Sequence, residues 1–249
     1  MLYGIAKWAW LLWCWIELAV FTLVLYVMSF LPRFLIGEYY FWLYRFWVRY
    51  FVRALGIDLR LHQKNIRPLP DHYILIANHP SAAEDIGIPA LFPVRQLAKI
   101  EVRDWFLVGR INAAAGVPFV KRESRESRRQ ALQQIEDELN KGRNIAIYPE
   151  GGCKGRRLFS SFRHGAFDIS LRTGIPIVPV FIHYEAQQDF EWQPPYTLLN
   201  KFWHFMTTRN PRANYYVFDA FEPGQFKDKT EYNEFVYNQY LEWQKKYLE

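Results

Sequence analysis

Residues 8–31 are almost unbroken apolar side chains, interrupted mainly by Glu17, Thr22 and Ser29. A run of about 20 such residues is long enough to cross a hydrocarbon core as a helix. A cleaved signal peptide fits poorly, because the run is long, rich in tryptophan and ends in Phe30-Leu31-Pro32-Arg33 without a small-residue cleavage site. The chain is therefore expected to begin with a membrane-embedded helical segment. Glu17, inside the run, must be buried against protein or protonated.

Residues 38–55 interleave aromatic and aliphatic side chains with Arg45, Arg49 and Arg53, spaced four apart on one helix face. This pattern predicts an interfacial helix whose arginines reach lipid phosphates. The alternative is a helix packed on the following domain, since a buried helix is also apolar almost all round. Arg33, Arg45, Arg49 and Arg53 follow the apolar run and only Lys7 precedes it, which places the remainder on the cytoplasmic side of a cell inner membrane. Whether the first helix spans or re-enters one leaflet stays open. The division is thus residues 1–55 as membrane-anchoring helices and residues 56–249 as one α/β domain.

Hydrophobic residues make up 51% and aromatics 18%, with a formal charge of +6 and pI near 9.2. That balance fits an anionic membrane surface or phosphate-bearing substrates. A nucleic-acid module is discounted because the arginines alternate with membrane-type aromatics. Cys14 and Cys153 stand in different contexts, so neither a disulfide framework nor a cysteine metal site is expected. The histidines show no zinc spacing, and no metal is expected.

After Gly56 short apolar runs alternate with amphipathic stretches, which predicts a mixed central sheet flanked by helices. Strands are expected at residues 73–77, 95–99, 118–121, 145–148, 177–182 and 215–220. A helix is expected between the third and fourth, capped by Ser127 with Gln130 and ended by Gly142, with Ala131, Leu132, Ile135 and Leu139 on its apolar face. Pro179, within the apolar run after Gly174-Ile175-Pro176, predicts an edge strand or a bulge. Residues 231–249 predict a terminal amphipathic helix with Val236, Tyr240, Trp243 and Tyr247 on one stripe.

Chemistry concentrates after the first of these strands, in Asn78-His79-Pro80-Ser81-Ala82-Ala83-Glu84-Asp85. An imidazole with a carboxylate on its other nitrogen is the minimum equipment for taking a proton from a hydroxyl. Ser81 to Glu84 also fits a capping box, so Glu84 has a purely structural alternative. Directly after another strand comes Tyr148-Pro149-Glu150-Gly151-Gly152. Adjacent glycines there let backbone N–H groups approach a ligand, with Glu150 as an acceptor for a substrate hydroxyl or as a structural clamp. Lys154 and Arg163 add cationic surface, and Arg122, just past a strand, can grip a phosphate.

Four blocks in register resemble the glycerolipid acyltransferase family that includes bacterial 1-acyl-glycerol-3-phosphate acyltransferases. They read His79…Glu84 for H-x4-acid, Gly116-x-x-Phe119-x-x-Arg122, Pro149-Glu150-Gly151, and Ile177-Val178-Pro179. Phe162-Arg163-His164-Gly165-Ala166 looks like a fifth segment, and the resemblance spans roughly residues 70–185. Two departures stand out: Glu84 replaces the usual aspartate, with Asp85 as the alternative partner of His79, and Gly152 replaces a hydroxyl residue.

The resemblance implies a membrane-bound O-acyltransferase. His79 would deprotonate the free hydroxyl of a lysolipid, 1-acyl-glycerol-3-phosphate first among them, and the alkoxide would attack an acyl thioester. Glu84 would orient His79; Gly116, Phe119, Arg122, Glu150, Gly151, Gly152, Lys154 and Arg163 would hold substrate. No bound cofactor is implied, and the co-substrate would be acyl-CoA or acyl carrier protein. Cys153 is expected to be a bystander. A different lysolipid acceptor, such as a lyso-aminoacyl lipid, and an inactive lipid-binding scaffold remain the competing readings.

Overall fold

The computed structural model describes residues 2–121, 125–153, 155, 157–192 and 197–249. In chain order its elements are α1 (Leu2–Met28), α2 (Arg33–Ala54), β1 (Asp58–Gln63), β2 (Ile74–Ala77), α3 (Glu84–Leu91), β3 (Arg95–Gln96) and β4 (Ala98–Lys99). There follow α4 (Val108–Ala114), β5 (Phe119–Val120), α5 (Arg125–Asn140), β6 (Ile145–Ile147), α6 (Gly165–Thr173) and β7 (Ile177–Tyr184). The last are α7 (Gln187–Phe190), α8 (Leu198–Thr207), β8 (Arg212–Val217) and α9 (Lys229–Leu248).

Six strands form one sheet in the order β1-β8-β7-β2-β6-β3. Neighbours are parallel except β7 and β8, which run antiparallel. The period-2 alternation of side chains across a strand splits the core in two. Ile74 and Ile76 join Ile145, Ile177, Phe167 and Tyr240 on one face; Leu75 and Ala77 join Val178, Val180 and the α2 side chains Tyr44 and Val48 on the other. The architecture is therefore a mixed α/β sheet between two helical layers, as the apolar runs predict.

Several expectations are corrected. The run at 95–99 is not one strand: β3 joins the main sheet and β4 pairs with β5 in a separate two-stranded ribbon. β1 was not anticipated; it is short and half polar, and forms by pairing in parallel with β8 at the sheet edge. The last strand lies a few residues earlier than expected, at Arg212–Val217. Helix α5 begins at Arg125, so Ser127 lies inside it rather than capping it. Pro179 sits in a central strand, not at an edge. Val180 pairs with Val217 and Ile177 bridges Phe221, leaving Val178 and Pro179 opposite Phe218, Asp219 and Ala220. That one-residue slip is a bulge, placed where proline has no N–H to give the ladder.

The amino-terminal helices also differ from the pattern-based reading. Arg45 and Arg49 do not reach outward: Arg45 Nε donates to the Pro89 carbonyl at 3.2 Å and Arg49 Nε to that of Ala90 at 2.9 Å. They satisfy carbonyls at the end of α3 that helix geometry leaves without partners. Arg53 instead pairs with Glu17 at 3.6 Å, which answers the charge inside the apolar run. Gly37, at φ +28°, breaks α2 near its start, and Glu38 just beyond it holds the buried Arg95 through both carboxylate oxygens at 2.9 and 2.8 Å.

Helix α1 packs on the domain at both ends. Near its start Lys7 Nζ donates to the Thr208 carbonyl at 3.2 Å and Trp8 stacks on Trp203 of α8. Just past its end Arg110 of α4 donates to Ser29 Oγ at 2.9 Å and lies over the Phe30 ring. Its outer stripe, including Ile5, Leu12, Val20, Leu23 and Val27, is exposed and apolar.

Candidate active site

Parallel strands bring the carboxyl ends of β2, β6 and β7 to one edge of the sheet, the usual place for a site in an open α/β sheet. As the chain leaves β2, the Asn78 side chain takes over the ladder. Its Nδ2 donates to the Ile182 carbonyl at 2.9 Å and its Oδ1 accepts from the Ile182 N–H at 2.7 Å. The next residue, His79, is thereby held at a fixed point beside the sheet.

His79 Nδ1 lies 3.2 Å from Glu84 Oε1, and its ring stacks on Tyr148 with centroids 4.2 Å apart and planes 15° from parallel. An ionised carboxylate only accepts, so with Glu84 ionised a neutral His79 ring would carry its proton on Nδ1 and its lone pair on Nε2. Tyr148 is pinned in turn: its hydroxyl donates to the Glu84 carbonyl at 3.1 Å and accepts from Gln96 Nε2 at 2.9 Å.

The two readings of Glu84 prove compatible. Its Oε1 accepts from the Ser81 N–H at 2.7 Å, the carboxylate half of a capping arrangement, while the same oxygen faces His79. The Ser81 hydroxyl accepts from Ala83 N–H rather than completing the reciprocal box. Glu84 is fully buried, whereas Asp85 is exposed, and it is Glu84 that meets the ring.

Burial opposes the imidazolium of His79, but the Glu84 hydrogen bond and the Glu84, Asp85 and Glu150 charges outweigh it and raise the pKa above that of a free imidazole. Burial raises the Glu84 carboxyl, against donors from His79, Ser81 and Tyr184.

Glu150 is buried and both of its oxygens are occupied. Oε1 accepts from the His79 N–H at 2.7 Å and Oε2 from the Phe159 N–H at 2.8 Å. This is the clamp arrangement: it ties the Pro149-Glu150-Gly151 turn to the backbone of His79. Gly151, at φ +76°, lies under the Arg163 side chain, which a Cβ there would strike. Arg163 is exposed, and no carboxylate among the described residues pairs with it. Gly152 is half-buried beside this turn. Gly116 ends α4 at φ +75°, where a Cβ would meet Arg95 Nε at 3.4 Å, and Phe119 is half-buried in β5. Both belong to the separate ribbon end of the molecule. Arg122 and Lys154 lie outside the described residues.

Burial pushes the Cys153 thiol up, with Glu84 adding to it, so the group stays a neutral thiol. Among the described residues no three metal-ligating side chains converge. Pattern reading missed Tyr148, Tyr184 and Tyr215. Tyrosines inside apolar runs look like core aromatics; the available signal is that a buried phenol needs a hydroxyl partner.

Replacing Glu150 with glutamine tests the clamp. Glutamine turns one of the two accepting oxygens into an NH2 that cannot accept, so either the His79 or the Phe159 N–H loses its partner, and a charged hydrogen bond is worth about 1.5–3 kcal/mol. Thermal unfolding should fall by roughly 3–10 °C for a chain of this size. An unchanged melting temperature would remove Glu150 as the tie between the two loops.

The site thus sets a sheet-edge histidine against a buried carboxylate, beside a glycine turn overlain by an arginine that no carboxylate among the described residues pairs with. The acyltransferase family model matches residues 58–183, just over half of the chain, and the chain belongs to that family. A lyso-ornithine lipid O-acyltransferase from Pseudomonas aeruginosa is 30% identical over 61% of this chain and 57% of its own length. A 1-acyl-sn-glycerol-3-phosphate acyltransferase from Neisseria gonorrhoeae is 26% identical over 53% of this chain and 51% of its own. The chain thus matches only about half the length of these relatives. The crystal structure of a 1-acyl-sn-glycerophosphate acyltransferase from Thermotoga maritima superposes with a TM-score of 0.66 at 18% identity, covering 98% of this chain and 96% of that one, and shares the fold.

Proposed function

We propose that this chain is a membrane-bound O-acyltransferase that moves an acyl group from a thioester to the free hydroxyl of a lysolipid, with His79 as general base. The observation that carries the reading is the 3.2 Å contact of His79 Nδ1 with buried Glu84, which leaves Nε2 as the proton acceptor. The hydroxyl proton passes to Nε2 as its oxygen bonds the acyl carbon. The carbon–sulfur bond then breaks and the imidazolium returns the proton to the leaving thiolate. Glu84 offsets the charge that His79 acquires in between. The donor is acyl-CoA or acyl carrier protein.

The first acceptor is 1-acyl-glycerol-3-phosphate. Arg163, over Gly151 and without a carboxylate partner among the described residues, supports a phosphate there, and Arg122 and Lys154 are assigned to the same headgroup from their place in the sequence. A lyso-ornithine lipid is the second reading, favoured by the Pseudomonas relative and by Gly152 standing where a hydroxyl residue is expected.

The placement proposed is at a cell inner membrane, with the catalytic domain toward the cytoplasm. Helix α1 is long and apolar enough to cross a bilayer. Its contacts with α8 at one end and α4 at the other favour lying along the domain with the outer stripe in lipid.

The test is thiol release from palmitoyl-CoA by detergent-solubilised protein with each lysolipid in turn. Lysophosphatidate-dependent release supports the first reading, and release with lyso-ornithine lipid alone supports the second. Silence with both acceptors, with acyl carrier protein donors as well, would favour the scaffold reading.

A further inference from the structure

Behind Glu84 lies a buried pair of hydroxyls that the proposed mechanism does not use. Tyr184, the last residue of β7, donates from its hydroxyl to Glu84 Oε2 at 2.7 Å. The Tyr215 hydroxyl, from β8, stands 3.2 Å from that of Tyr184. Because the Tyr184 proton goes to the carboxylate, Tyr215 must be the donor between the two phenols. The direction runs from Tyr215 to Tyr184 to Glu84, with His79 on the other carboxylate oxygen. Gly87 of α3 makes room: a Cβ there would overlap the Tyr215 hydroxyl.

We propose that Tyr184, backed by Tyr215, is a positioning residue that keeps Glu84 ionised and acceptor-only behind His79. The proposal rests on the reading of His79 as general base. Glu84 is fully buried, so an ionised carboxylate there would be costly without donors on every side. Ser81 N–H and His79 Nδ1–H serve Oε1, and Oε2 receives the Tyr184 hydroxyl. The aspartate usual in this motif is one methylene shorter. Glutamate here extends Oε2 to a phenol at the end of β7.

The titratable groups around this carboxylate come from every packed element. His79 follows β2, Tyr148 follows β6, Glu150 and Cys153 sit in the turn after it, Asp85 lies on α3, and Tyr184 and Tyr215 come from β7 and β8. His79 and Glu84 titrate as a coupled pair whose apparent pKa values belong to both. The working form is neutral imidazole with ionised carboxylate. Removing a donor from the carboxylate makes that form easier to protonate, so the first protonation step moves to higher pH.

The experiment is the histidine titration followed by NMR on labelled, detergent-solubilised protein, with His79→Gln used to identify the signal. The acid limb of kcat/KM for palmitoyl-CoA and lysophosphatidate is measured alongside. Tyr184→Phe keeps the ring that stacks on Phe190 at 4.5 Å and removes only the hydroxyl. It should shift the apparent pKa and the acid limb upward by about one pH unit, the size expected for a lost charged hydrogen bond. Tyr215→Phe should shift both the same way by less. Lower thermal stability with an unmoved titration in both variants would make the pair ordinary packing and overturn the proposal. Turnover retained in His79→Gln is a separate outcome that removes the base reading, while the titration of the His79 signal still decides the role of Tyr184.

Discussion

Alanine in place of His79 should reduce acyl transfer by about 10²- to 10⁴-fold, the usual contribution of a positioned general base. The substitution is clean in structural terms. The Glu150 clamp holds the backbone N–H of residue 79, not its ring, so the turn stays tied. Asn78 goes on bridging β2 to β7 through Ile182. What disappears is the imidazole, its stack on Tyr148 and its Nδ1–H donor to Glu84, whose oxygens keep the Ser81 N–H and the Tyr184 hydroxyl. Unfolding temperature and recovery with liposomes should therefore change little while thiol release from palmitoyl-CoA collapses. Near-normal release by the alanine variant would show that another group takes the hydroxyl proton, and the site would have to be rebuilt around that group.

Much of this arrangement was visible in the chain as one-dimensional pattern. The central strands are short apolar runs ended by special residues, and the reactive groups sit immediately after two of them. His79 and Glu84 lie five apart, so the turn that joins them is local and the pairing could be proposed without a fold. Tyr184 could not be found this way. It stands 100 residues from Glu84 in sequence, and only the parallel pairing of β2 with β7 brings them together. Arg45 and Arg49 failed for a related reason. An arginine stripe among aromatics has the same pattern whether it meets lipid phosphates or the open carbonyls of a packed helix, and here α3 supplies the carbonyls. Pro179 shows a local rule met in an unexpected place: the missing N–H is accommodated by a bulge, inside the sheet instead of at its edge.

Glutamine at position 84 separates the charge of the acid from its shape. The amide can keep all three contacts, its oxygen facing Ser81 N–H and His79 Nδ1 and its NH2 turned to the Tyr184 hydroxyl, which then donates to Tyr215. Only the negative charge is lost. The imidazolium that forms as the hydroxyl attacks then stands buried without its counter-charge, and kcat should fall by about 10²-fold. The pH dependence gives the sign. In the native chain burial lowers the His79 pKa, but Glu84 and the other carboxylates raise it further, so the net shift is upward. Activity that needs the neutral ring is then lost as pH falls through this raised value. With Glu84→Gln the hydrogen bond to a charge and its field are gone while burial remains, so the acid limb moves to lower pH. Tyr184→Phe is expected to move the same limb to higher pH, because it leaves the charge and removes its donor. Opposite displacements from two neighbouring isosteric changes are a signature that general loss of structure does not produce. A limb that stays in place in Glu84→Gln would mean that the carboxylate acts on helix α3 alone and leaves His79 to work unassisted.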